Sequence, residues 1–267
     1  MSRVVGDMDV ALSAAVAGAA VVRAAYGSPT PRRAPSTADL TTDADLDAER
    51  AIFEVIRRAR PEDTRIGEES GRVDGTTSRR WLVDPLCGTR NFAAQTPLFA
   101  VNVALVGDPA SIACVSADPL AEEYFWTDGR GAHLRCDSAD QPLVPSAESR
   151  LVDVNCDGPV DKPFLGPQLM ADAAFRSAFG TRVTSTTLAV AWVAAGRRAG
   201  YVSDGHFDDN VHFAAGTTVC RSAGCVVSDL SGEPLGTGRG LIAAADVETH
   251  QRLVDVIRPH LARVPAH

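Results

Sequence analysis

Four short segments of this 267-residue chain concentrate side chains able to do chemistry. They are Thr42-Asp43-Ala44-Asp45 followed by Glu49, then Gly67-Glu68-Glu69-Ser70, then residues 81–92 (WLVDPLCGTRNF), then Val211-His212-Phe213-Ala214-Ala215-Gly216. The carboxylates of Asp45, Glu68 and Asp84 can accept hydrogen bonds and exchange protons. Cys87 and His212 are of another kind: a thiol and an imidazole serve as nucleophile and base, or as ligands to a softer metal. Taken singly, each segment also has a purely structural reading. Asp45 caps a helix, Glu68 and Glu69 form a solvated pair behind a strand, and residues 84–89 make a turn with Gly88 supplying φ and Thr89 a cap.

Alternating apolar and polar stretches suggest the elements that position these residues. Residues 7–26 read as a helix with Asp7 and Asp9 at its start, where the helix dipole favours negative charge. Residues 27–38 form a Pro/Ser/Arg-rich loop, and a second helix runs from Asp43 to Arg60, stopped by Pro61. Strands are predicted at Arg80–Val83, Phe99–Val106, Ser111–Ser116 and Glu123–Trp126. Further on, strands at Leu151–Asn155, Arg182–Ser185, Gly200–Ser203, Cys225–Asp229 and Leu241–Ala243 alternate with helices at Pro167–Phe179, Thr187–Arg197, Val211–Ala223 and Val247–Leu261. The order implies stacked layers of helices and sheets in one compact unit: an N-terminal α+β half over 1–145 and a C-terminal α/β half over 146–267.

Composition excludes several functions. With 45% hydrophobic and 22% charged residues the chain is not a disordered one. A net charge of −8, with Lys162 the single lysine, leaves no basic face for nucleic acid. No apolar run reaches the roughly 18–20 residues a membrane span needs. Ala11–Val22 lacks the positive lead-in of a signal peptide, and the six cysteines (87, 114, 136, 156, 220, 225) contain no Cys-x-x-Cys pair. A cytoplasmic enzyme with reduced thiols and a small-molecule substrate is the expectation. Cys114, Cys220, Cys225 and Trp192 read as core, and His206 as a surface residue.

Read together, the four segments resemble the inositol monophosphatase superfamily. That family carries Gly-Glu-Glu-Ser, then Trp-x-Val-Asp-Pro-Leu-Asp-Gly-Thr-x-Asn-Phe, then Trp-Asp-x-Ala-Ala-Gly. The stretches Pro97–Val101, Ser116–Pro119 with Glu122, Gly129–Ala132, Val193–Gly196 and Ser222–Gly224 with Asp229 are also similar, so the likeness runs from about residue 8 to 260. It implies an α/β fold of five layers, αβαβα, often as a homodimer. By that resemblance Glu68, Asp84 and the main-chain carbonyl of Leu86 would hold a first magnesium ion. Asp45 with Thr89 would orient and deprotonate the attacking water, Gly88 and Thr89 would offer amide N–H groups to phosphate, and Ser185 and Asp204 would shape the substrate pocket.

The chain departs from the pattern at one place above all. The family holds a second metal ion with three aspartates; Asp84 is one, and Cys87 and His212 stand at the other two. Neither replacement suits magnesium. Val211 replaces a tryptophan, Thr184 a glycine, Ala199 an acidic residue, and Arg32 and Arg33 stand where a lysine is common. Asp208 and Asp209 are near enough in sequence to His212 to supply a lost carboxylate by a local shift. Four readings follow. In the first, Cys87 is a nucleophile, His212 its base and Asp84 the group that orients the imidazole, for acyl-type transfer, hydrolysis or cyclisation in specialised biosynthesis without a cofactor. In the second, a magnesium-dependent phosphatase of a sugar or polyol phosphate survives on the first metal site. In the third, Asp84, Cys87 and His212 bind one zinc ion as a hydrolase, with Glu68 as base. In the fourth, the protein binds a ligand without catalysis.

Overall fold

The computed structural model describes residues 5–28, 32–33, 41–107, 112–158, 164–205, 207, 210–236 and 238–261. His206, Asp208, Asp209, Ser111 and most of the 27–38 loop lie outside the described residues. The chain forms two compact units, one of Met1–Pro142 with Val211–Val219, the other of Leu143–Asn210 with Cys220–His267.

In the first unit, helix α1 (Asp7–Ala25) starts where the Asp9 carboxylate accepts from the Gly6 amide at 3.3 Å. By length and composition α1 could cross a membrane, contrary to the sequence expectation. It lies instead in a protein core: Val10, Ala11, Ala14, Ala15, Ala19 and Val22 are buried and pack with α2 (Asp43–Ala59) and the adjoining sheet. Two short strands, β1 (Arg32–Arg33) and β2 (Thr41–Thr42), pair antiparallel within the segment expected to be loop and just beyond it.

The main sheet contains β3 (Thr64–Gly67), β4 (Gly71–Val73), β5 (Arg80–Cys87), β6 (Ala100–Val106), β7 (Ala113–Asp118), β8 (Glu123–Thr127), β9 (Ala132–Cys136) and β10 (Ala139–Pro142). A five-residue helix, α3 (Thr89–Ala93), follows β5. The spatial order is β10-β9-β8-β7-β6-β5-β3-β4, antiparallel throughout except for the β3–β5 pair. Both faces of its centre are buried, as its continuous apolar strands demand. Trp81, Val83, Val101, Val103, Leu105, Val115 and Ala117 face α1 and α2. Leu82, Ala104 and Cys114 face the other way and meet Val211, Ala214 and Ala215 of the returning segment. That parity matters: Asp84 follows Leu82 by two and so points toward the segment that carries His212.

The second unit has a five-stranded sheet ordered β12-β11-β13-β15-β14. Its elements are β11 (Leu151–Val154), α4 (Leu165–Ala171), α5 (Ala173–Ala178), β12 (Gly180–Val183), α6 (Leu188–Ala194), β13 (Gly200–Ser203), β14 (Val226–Ser228), β15 (Leu241–Ala244) and α8 (Val247–Leu261); helix α7 (Ala214–Ala223) precedes β14 in the chain. Strand β11 is parallel to β12 and β13, and β15 is antiparallel to β13 and β14. Val152, Val154, Val202, Ile242 and Ala244 pack with Leu165, Phe175, Leu253 and Ile257. The single helix expected over 167–179 is two helices, because Asp172 leaves helical geometry and caps α5 by accepting from the Phe175 amide at 2.7 Å. Trp192 is half-buried rather than core, with the Arg198 guanidinium 4.7 Å above its ring. Cys114, Cys220 and Cys225 are buried, and burial pushes the Cys114 thiol up to about 12.

Candidate active site

Asp84 and Cys87 are three residues apart, which in a regular strand puts them on opposite faces. The structure removes that obstacle with a bulge. Asp84 pairs with Asn102 and Cys87 with Ala100, so Pro85 and Leu86 oppose the single residue Val101. Pro85 has no N–H to give the ladder, and a bulge is where a strand tolerates proline. The extra residue resets the parity and brings both side chains to the face toward His212. Gly88 then turns the chain with a φ of +106°, and a Cβ there would lie 2.8 Å from the Leu98 carbonyl oxygen.

Glu68 sits in the turn after β3, its amide donating to the Val83 carbonyl at 3.1 Å. That turn is fixed from α2: the Glu49 carboxylate accepts from the amides of Glu69 and Ser70, both at 2.9 Å. Gly67 permits the approach, since a Cβ on it would lie 2.1 Å from a Glu49 oxygen. The role of Glu49 was not read from the sequence. The available signal was a glutamate one helical turn beyond Asp45, on the same face of α2.

Asp45, the third residue of α2, closes that helix's first turn and also reaches Thr89. Its Oδ2 accepts from the Thr42 amide at 2.8 Å and the Thr42 hydroxyl at 2.5 Å, closing the N-terminus of α2. Its Oδ1 faces the Thr89 hydroxyl at 3.1 Å, and the same hydroxyl lies 3.1 Å from the Leu86 carbonyl oxygen. One hydroxyl proton serves two acceptors. Burial raises the Asp45 carboxyl to about 6, against the lowering effect of the Thr42 and Thr89 hydrogen bonds.

Asp84 is wholly buried; its Oδ1 accepts from the Leu86 amide at 3.1 Å and its Oδ2 lies 2.8 Å from His212 Nδ1. His212 Nδ1 is also 3.8 Å from the Glu68 carboxylate. Burial works against the imidazolium. The hydrogen bonds to Asp84 and Cys87 and the charges on both outweigh it, and His212 is pushed up to about 12. Burial, the Asp84 charge and a hydrogen bond to Asp84 carry Glu68 the other way, up to about 9, with His212 opposing. Glu68 and Asp84 are thus two carboxyl groups in contact, and the neighbouring charge favours the protonated form of Glu68.

The structure therefore brings together Asp45, Glu68, Asp84, Leu86, Cys87, Gly88, Thr89 and His212 around one end of β5. His212 lies in the turn before α7 and not inside a helix starting at 211, as the sequence had suggested. Ser185 and Asp204 belong to the second unit. Asp204 is buried, and its oxygens take the Leu165 amide at 2.8 Å, the Gly205 amide at 2.9 Å and the Arg239 guanidinium. Two sets of metal donors are present. Glu68, Asp84 and the Leu86 carbonyl are all oxygen and fit magnesium by donor chemistry. Asp84, Cys87 and His212, whose ligand atoms all lie within 4.8 Å of one another, offer oxygen, sulfur and nitrogen and do not.

Residues 6–262 match the sequence profile of the inositol monophosphatase family. The inositol-1-monophosphatase of Caulobacter vibrioides is 32% identical over 234 residues, covering 83% of this chain and 88% of that protein. The Nus factor SuhB of Pasteurella multocida is 32% identical over 244 residues, 85% of each. Among solved structures, the extragenic suppressor protein SuhB of Bartonella henselae has a TM-score of 0.81 at 29% identity, covering 94% of this chain and 98% of that one. The IMPase of Thermotoga maritima has a TM-score of 0.81 at 20% identity, a likeness of fold alone. The α/β fold expected from the resemblance is the fold of these neighbours, with its strands in an eight-stranded and a five-stranded sheet besides the β1–β2 pair.

Proposed function

The chain belongs to the inositol monophosphatase family, and from that premise we propose that it hydrolyses a small sugar or polyol phosphate. One magnesium ion would be held by Glu68, Asp84 and the Leu86 carbonyl. The observation that carries this reading is the intact oxygen-donor half of the site. Glu68 and Asp84 are in contact, and the Asp45–Thr89 pair stands at 3.1 Å beside the Leu86 carbonyl. Magnesium, when bound, polarises a phosphoryl oxygen and makes a nearby water more acidic.

The chain's own residues do the rest. Thr89 takes a proton from the attacking water as it passes its own hydroxyl proton to Asp45, which is ionised at neutral pH and near enough to 6 to take it. The water oxygen bonds to phosphorus, the ester P–O bond breaks, and the alkoxide leaves with a proton from solvent. The amides of Gly88 and Thr89 are offered to the phosphate. The test is phosphate release from a panel of sugar and polyol phosphates by zinc-free protein, with and without magnesium. Magnesium-dependent release, lost in Glu68→Gln, is the expected result. No release from any member of the panel sinks the reading.

One observation favours a second reading. The Asp84 carboxylate and the Cys87 sulfur both engage the His212 ring, the carboxylate at 2.8 Å, and that is the order of groups used for covalent catalysis. Cys87 would then carry an acyl-type intermediate. The relatives named inositol-1-monophosphatase weigh toward the first reading. Inactivation by iodoacetamide at Cys87, with no dependence on magnesium, would reverse that preference.

A further inference from the structure

We infer that Asp84, Cys87 and His212 form a binding site for a zinc-class divalent cation, at the place where the family seats its second magnesium ion. Three ligand atoms of three kinds lie within 4.8 Å of one another, a spread that one ion can close by small side-chain movements. The three arrive from separate devices. Asp84 and Cys87 share a face only through the Pro85 bulge, and His212 comes from the segment packed on that face. The donor set selects the ion. A carboxylate oxygen, a thiolate sulfur and an imidazole nitrogen suit zinc, whereas magnesium prefers oxygen alone.

The site is also open in the way that a working zinc site is. The Asp84 side chain is fully buried, which fixes its orientation, while the His212 side chain is about a third exposed, at 36%. Three protein ligands and solvent access leave a fourth position for water or a phosphate oxygen. Asp84 has one oxygen turned to His212 and the other to the Leu86 amide, so its carboxylate can belong to this site and to the oxygen-donor site together. On binding, the ion takes the place of the protons held among Cys87, His212 and Asp84 and releases them to solvent, with no change of oxidation state. Cys87 is then a metal ligand and no free nucleophile. The inference rests on the phosphatase reading only for what the ion would assist, and not for its binding.

Cobalt(II) is the probe. Titrated into metal-free protein, it should give the near-ultraviolet absorption of a thiolate–cobalt bond, and zinc should bleach that band while excess magnesium leaves it. Cys87→Ser should abolish the band. His212→Ala should weaken zinc binding by more than the roughly 10–100-fold typical of losing a mere outer partner. The double variant Cys87→Asp with His212→Asp should lose zinc preference for magnesium. If that variant fails to fold, Cys87→Ser alone decides, since it changes one atom. Absence of the thiolate band in the wild type, its survival in Cys87→Ser, or its removal by magnesium overturns the inference. Phosphate release with magnesium in zinc-free protein is read separately, so each proposal can fail without the other.

Discussion

Asp153 and Asp204 in the second unit and Asp45, Glu68 and Asp84 in the first have partners of opposite kinds. In the second unit Asp153 and Asp204 are each met by an arginine: Arg198 reaches Asp153, which also accepts from the Thr184 hydroxyl, and Arg239 grips Asp204 through two nitrogens. A guanidinium keeps its charge at any ordinary pH, so these acids are locked. In the first unit Asp45, Glu68 and Asp84 meet hydroxyls, amides, an imidazole and each other. None of those partners is a guanidinium, and the one cation among them, the His212 imidazolium, can hand over its proton or yield to a metal. Burial therefore lifts Asp45 to about 6 and Glu68 to about 9. The same residue type is structural where its partner is fixed and chemically poised where its partner can exchange a proton or yield to a metal.

The sharpest way to break this contrast is to remove one acid of each kind. Asp84→Asn keeps the shape and loses the charge that both donor sets need. Metal-assisted charge stabilisation is worth several kcal/mol, so phosphate release should fall on the order of 10³-fold. Its melting temperature should change little, because the side-chain amide oxygen can still accept from the Leu86 amide and the His212 left behind, 36% exposed, can give up its proton to solvent. Asp45→Asn removes the proton acceptor and should cost roughly 10²–10⁴-fold in kcat/KM. The wild-type kcat/KM should fall as pH drops through about 6, where Asp45 takes up its proton, and the residual rate of Asp45→Asn should lack that limb. A pH profile of both proteins checks this.

Asp153→Ala should do the reverse. It leaves the Arg198 guanidinium, only 21% exposed, without its partner, at a cost of about 3–5 kcal/mol in urea unfolding. Activity per folded molecule should hold. Were Asp84→Asn to lose stability as Asp153→Ala does, with activity following the folded fraction, the two classes of acid would be one.

The same contrast explains what could be read without coordinates. Helices α1, α2 and α8 and strand β13 were legible because their apolar spacing is regular and their ends carry Asp, Pro or Gly signals. Strands β9 and β10 were not: they are polar and partly exposed, and Asp137 and Ser138 turn between them with φ of 49° and 64°, without the glycine that marks such hairpins. Strands β3 and β4 are too short to show a period. At the site, the residues were legible by type, since Cys87 and His212 are rare where aspartate is usual. Their meeting followed from the family resemblance and is what the structure has; the local pattern alone does not give it, because an interval of three argues against a shared face and the bulge at Pro85 is a property of pairing with β6. Glu49 escaped for a like reason, as its partners lie twenty residues on, in the Glu69–Ser70 turn.

The smallest effect belongs to an acid that combines both treatments. Asp7, at the first turn of α1, is reached by Arg60 at 2.8 Å and by Arg79 at 2.7 Å, and Arg79 also pairs with Asp63 at 2.9 Å. Partial burial pulls the Asp7 carboxyl upward, and the two guanidinium groups overcome it and hold the carboxyl below its usual value. The sign follows from linkage: the native state favours the ionised form, so the stabilisation is complete above the unfolded carboxylate pKa of about 3.9 and fades as pH falls through the lower native value. Asp7→Asn should therefore cost on the order of 1 kcal/mol at pH 7, as partly exposed ion pairs do. The gap between variant and wild type in urea unfolding should close as pH drops below about 4. A gap that persisted undiminished in acid would show that Asp7 acts by shape or hydrogen bonding at the α1 terminus and not as a carboxylate locked by arginine.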